Sequence, residues 1–134
     1  VQVLKFVHRR FVLQRPDLAL HQRGQDRLLS KLVEALDSWL IDRSEAARVP
    51  HRLRDLFEHA RTEFGAVWAE DPAALVLPGE TPPKGAEVGE ALDRMARGRA
   101  VIDFVASLTD DQAAGLLEAL SGRMSQLWSD AFVL

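Results

Sequence analysis

The chain has 134 residues, with 17 Lys or Arg against 20 Asp or Glu for a formal net charge of −3, a length that suits one domain burying about two-thirds of its unfolded surface. It contains no cysteine, which excludes disulfides, thiolate metal sites and a cysteine nucleophile. Val, Ile and Thr make up only 17 of the 134 residues, few for pleated sheets, whereas Ala, Leu, Arg, Glu and Gln, which lose little rotamer freedom in a helix, dominate.

Residues 3–14 are expected to form a first helix with Val3, Leu4, Val7 and Phe11 facing inward, closed by Pro16. Asp17 offers an N-cap for the next element, which Gly24 could interrupt. From residue 25 to 42 the spacing of Leu28, Leu29, Leu32, Val33, Leu36, Trp39 and Leu40 has the 3.6-residue period of an amphipathic helix. Val49-Pro50 marks a boundary, because the residue before proline is steered out of the helical region while proline suits a first helical turn.

A third helix is expected over residues 51–70, with Leu53, Leu56, Phe57, Ala60, Phe64, Val67 and Trp68 on its apolar stripe. Asp71-Pro72 starts a short turn, and residues 78–85, Pro-Gly-Glu-Thr-Pro-Pro-Lys-Gly, read as a long loop. Helix four should span residues 87–107. Thr109 followed by Gln112 forms a capping box that opens helix five, with Leu116, Leu117, Leu120, Met124, Leu127 and Trp128 carrying its stripe to about residue 130. The string 31–38 is echoed at 115–122, a similarity ordinary for helices. The fold class is therefore all-α: a single-domain bundle of about five helices with a long Pro/Gly loop before helix four, packed at shallow angles.

No apolar run reaches the roughly 18 residues of a membrane span. Residues 1–13 carry Lys5, Arg9 and Arg10 inside the apolar stretch rather than before it, unlike a secretory leader. A cytoplasmic protein is expected, and the apolar ends suggest a domain excised from a longer chain. Arg outnumbers Lys fourteen to three, a sign of a GC-rich coding sequence and not of a mechanism.

Three constellations could carry function. His51, Asp55, His59 and Glu63 are spaced by four on helix three, roughly 40° apart in projection and away from its apolar stripe. Imidazole and carboxylate are suitable metal donors, but no His-Glu-x-x-His pattern is present. A solvated face with i,i+4 support is the favoured alternative. On helix four, Asp103 interrupts the apolar run 101–106, so the helix is expected to be surrounded and the carboxylate at least partly desolvated and paired with Arg99 one turn earlier, either to fix helix register or to anchor a ligand.

The third is charge. Residues 1–31 hold seven basic groups (Lys5, Arg9, Arg10, Arg15, Arg23, Arg27, Lys31) and two acidic ones (Asp17, Asp26), a balance of +5, leaving −8 for the rest of the chain. Lys5, Arg9 and Arg10 could meet phosphates or an acidic partner. Nucleic acid is disfavoured, since the overall charge is negative and no recognition-helix turn or stacking motif is evident.

The sequence holds no nucleophile elbow, phosphate loop or dinucleotide glycine pattern, and no cofactor is expected. Trp39, Trp68 and Trp128 lie on apolar stripes and are read as packing residues. The leading expectation is a non-enzymatic interaction or regulatory module that binds a protein partner or a second copy of itself. The alternatives are a small-ligand or metal-binding helical domain and a nucleic-acid binder.

Overall fold

The computed structural model describes residues 1–8, 16–42, 44–127, 129, 130 and 133, and among them every regular element is helical. The α-helices are α1 (Gln2–His8), α2 (Pro16–Ile41), α3 (His51–Glu70), α4 (Ala86–Ala106) and α5 (Asp110–Leu120), with 3₁₀ turns at Ala46–Arg48 and Pro72–Leu75. The all-α expectation therefore holds.

Several boundaries follow from local chemistry. Helix α3 has the expected bounds because Pro50, with φ −49° and ψ 132°, cannot extend a helix backwards. The Asp71 carboxylate accepts the Ala73 N–H at 3.0 Å, starting the 3₁₀ turn. Leu77 to Glu80 then form a tight turn: Glu80 N–H donates to the Leu77 carbonyl at 3.0 Å, and Gly79 has φ +91°. Proline at its second position and glycine at its third meet the requirements of a type II turn. At α5 the capping box is formed: the Gln112 N–H donates to Thr109 Oγ1 at 3.3 Å, and the Thr109 N–H to Gln112 Oε1 at 3.0 Å.

The structure corrects other expectations. Pro16 is the first residue of α2, Asp17 lies in the first turn of that helix, and α2 runs through Gly24 without a break, while residues 9–15, over which helix one was expected to continue, lie outside the described residues. Helix α5 stops ten residues short of residue 130. Gly122 takes φ +67°, its N–H donates to the Ala119 carbonyl at 3.1 Å, and the Arg123 N–H donates to the Glu118 carbonyl at 3.1 Å. That pair of bonds is a Schellman stop, and it leaves Leu127 fully exposed where an inward position was expected. Trp128 lies outside the described residues.

Helix α4 is the centre of the packing, in contact with both α2 and α3, and α5 packs beside α2; Asp37 meets Arg97 while Ile41 lies near Asp93, and Arg61 meets Asp93 while Trp68 lies near Glu87, so both flanking helices run opposite to α4. Two interhelical ion pairs mark the registers: Arg97 Nε donates to Asp37 Oδ1 of α2 at 2.7 Å, and Arg61 of α3 binds Asp93. Ala96 and Ala100, both fully buried, present so little side chain that neighbouring helices can approach closely. Leu32 and Leu36 of α2, Leu53 of α3, Val101 and Phe104 of α4 and Leu116 of α5 form the main core, which Val133 joins.

The registers divide the molecule into two ends. Asp37 pairs with Arg97, and Gln25, Leu28 and Leu29 stand beside Asp110 and Ala113, beyond the last turn of α4. The first part of α2 therefore projects past the end of α4. At the opposite end, the second half of α3, the first half of α4 and the 3₁₀ turn between them make a separate tip.

Candidate interaction surface

The projecting end is apolar where it should be polar. Residues 17–24 are exposed throughout, with Leu20 at 77% of its free surface. On α1, Val3 is 76%, Leu4 79% and Phe6 61% exposed, so the expectation that Val3 and Leu4 face a core is corrected. Phe11 and the Val7 side chain lie outside the described part of the structure. None of the principal helix contacts involves α1. A cluster of exposed large apolar side chains marks a surface that is covered in use.

The positive excess of residues 1–31 is a property of the sequence, and only part of it falls on described residues. Lys5 sits on α1 with its side chain in solvent, and Arg9 and Arg10 lie outside the described residues, as does Arg15. Of the seven basic groups in residues 1–31, Lys5, Arg23, Arg27 and Lys31 are among the described residues.

The opposite tip holds a groove of about 260 Å³, walled by Trp68, Val76, Pro82, Pro83 and Met95 and edged by Glu80 and Glu87. The type II turn sends the chain back so that Thr81 to Pro83 lie against the α3–α4 pair. Trp68, expected in the core, is only half-buried and forms one wall. Residues 68–91 contain five acidic groups (Glu70, Asp71, Glu80, Glu87, Glu90) and one basic group (Lys84), a balance of −4. Half of the −8 outside the arm is therefore concentrated at this tip.

The remaining sequence candidates take other places. On α3, His51, Asp55, His59 and Glu63 are all exposed. His59 Nε2 lies 3.3 Å from Glu63 Oε1, and His51 Nδ1 faces an Arg54 guanidinium nitrogen at 2.9 Å. Among the described residues no three His, Asp or Glu side chains converge in a way that could hold a metal ion. A four-residue spacing places side chains on one face, but among the described residues nothing from another helix completes a set of ligands around this ladder.

Arg99 and Asp103 do meet, Arg99 Nε donating to Asp103 Oδ2 at 2.6 Å. That hydrogen bond and the carboxylate's charge raise the Arg99 pKa. Asp103 is partly covered, its side chain 37% exposed, but α4 is not surrounded there as expected, because the pair lies on its outward stripe beside Ile102, 60% exposed. α2 and α3 cover two flanks of α4 and leave the face of Arg99, Ile102, Asp103 and Ala106 to solvent.

Sequence reasoning missed the Arg97–Asp37 and Arg61–Asp93 pairs, whose partners are separated by 60 and 32 residues. No local spacing announces such a pair. The groove was missed for the same reason, although its acidic loop and Trp68 are each visible separately.

Comparison with known proteins gave no family, curated protein or solved structure that matches this chain. Among the described residues no helix is long and apolar enough to cross a membrane.

Proposed function

We propose that this protein is a helical interaction module that works by binding another protein surface through its N-terminal arm, and not by catalysis. The supporting observation is the exposed apolar set Val3, Leu4, Phe6 and Leu20 on α1 and the projecting turns of α2. Its apolar side chains drive association by leaving water, and its basic groups steer the encounter toward an acidic partner.

Light-scattering mass across a concentration series tests the reading. The full chain should exceed its monomer mass of 14.9 kDa as concentration rises, and the double variant Leu4→Glu/Phe6→Glu should stay monomeric with an unchanged helical spectrum. A full chain that remains monomeric throughout, with the variant indistinguishable from it, refutes the reading.

A further inference from the structure

We infer that the groove between α3, α4 and the Pro/Gly loop is a binding site for a small organic cation, a primary alkylammonium ion of a few carbons. Neither the N-terminal arm nor any association of the chain is needed for it. One small apolar cleft brings together an indole wall and two carboxylates that nothing else engages.

The antiparallel course of α3 and α4 sets the acidic end of this cleft. Arg61 meets Asp93, so the same number of residues onward along α3 and back along α4 brings Trp68 level with the first turn of α4, where Glu87 stands. Both line the groove, and Glu80 joins them from the turn at residues 77–80. Among the described residues neither carboxylate has a hydrogen-bond or ion-pair partner. The cation in the wall is Arg94, two turns beyond Glu87 on α4 and about 10 Å along the axis, and it pairs with neither of them. The end beside Trp68 therefore keeps its negative charge.

An alkylammonium ion uses every part of that end. The face of an indole ring attracts a cation through its quadrupole, a carboxylate accepts charge-assisted hydrogen bonds from N–H donors, and Leu75, Val76, Pro82 and Met95 offer an alkyl chain a surface on which to leave water. An anion is repelled by Glu80 and Glu87. A neutral apolar molecule strips water from both carboxylates and returns no hydrogen bond. A bare metal ion is poorly served, because among the described residues no third His, Asp or Glu converges with these two.

Size narrows the class further. The cavity of about 260 Å³ falls just below the roughly 300–1,000 Å³ of pockets that hold drug-sized ligands. Pro82 and Pro83, with φ fixed by their rings, hold one wall in place before a ligand arrives, which limits the ordering cost of binding.

NMR titration of the isotope-labelled full chain with butylammonium at neutral pH tests the site. The Trp68 indole N–H, identified by its loss in Trp68→Phe, and the backbone amides of Thr81 and Glu87 should shift along one saturating curve. Butanol, the uncharged match in size, should need roughly five- to tenfold more for half-saturation, and butyrate should leave the signals in place. Glu80→Gln/Glu87→Gln keeps the side-chain shapes and removes the charge; it should weaken butylammonium by a similar factor and leave butanol unaffected. Arg94→Gln should bind butylammonium at least as tightly as the parent chain.

A shift that grows linearly with butylammonium and never saturates overturns the site. Equal midpoints for butylammonium and butanol, or a Gln double variant that holds the cation as well as the parent does, overturn the assignment to a cation. Saturable binding of butyrate that is lost in Arg94→Gln gives the groove to anions and overturns the inference equally.

Discussion

Truncating Phe104 tests which face of α4 is the inside. Its ring is fully buried in the cluster that includes Leu32, Leu36, Val101 and Leu116, so Phe104→Ala removes the transfer energy of the ring and leaves a cavity that rigid helices refill poorly. The combined loss should be about 3–5 kcal/mol. For a 134-residue chain with an unfolding entropy of about 2.1 cal/mol/K per residue, that lowers Tm by roughly 10–18 °C. Ile102→Ala, two residues away on the same helix, supplies the control. Ile102 is 60% exposed, so only a minor part of its burial energy is at stake, about 1 kcal/mol or less. Thermal unfolding followed by circular dichroism, with every sample at one protein concentration because association would shift Tm, reads both losses. Equal losses for the two variants, or a larger one for Ile102→Ala, refute the assigned orientation of α4 and with it the register that makes the arm project.

Further outcomes follow from local geometry. Gly122→Ala should cost about 1–2 kcal/mol in chemical denaturation, because φ is +67° there and a side chain is disfavoured in the left-handed region, although the space around it is open. Gly122→Asn should cost less. Thr109→Ala removes the acceptor for the Gln112 N–H and should lower stability by about 0.5–2 kcal/mol, leaving the light-scattering mass unchanged. The Asp42 carboxylate accepts hydrogen bonds from the Ser44 hydroxyl at 2.6 Å and the Ser44 N–H at 2.9 Å, which hold its pKa below the ordinary carboxylate value. Because that folded-state pKa is depressed, this contact's stabilisation is present above the unfolded-state pKa and is lost as pH falls through the folded one. A carboxyl NMR titration should show Asp42 ionising at lower pH than other exposed Asp residues, and Ser44→Ala should move its midpoint upward; an unmoved midpoint contradicts the assignment.

Signals that act within one helix turn are legible in the residues themselves. Val49-Pro50 and Asp71-Pro72 bound helix α3, and Thr109 with Gln112 announces α5, because caps and prolines operate through bonds spanning three or four residues. The stop at Ser121-Gly122 is equally local, yet the apolar period carries on past it through Met124 and Leu127 and masks it. Period alone does not separate a helix that continues from one that ends among apolar residues.

The candidate surface is legible in pieces only. The charge split is plain from composition, and so is the Pro/Gly loop.

By itself, the sequence determined the helical class, most element boundaries, the capping box and the uneven placement of charge, because periodicity, proline geometry and counting need no knowledge of neighbours. Tertiary structure alone decided which apolar residues are covered. Val3, Leu4, Leu127 and Ile102 carry the same helical spacing as residues of the core, but α1 takes no part in the principal helix contacts, α5 stops before Leu127, and α2 and α3 leave the Ile102 face of α4 in water. It also decided that Asp37 pairs with Arg97 and that Trp68 walls a groove with Pro82, Pro83 and Met95, since both depend on contacts between residues far apart in the chain.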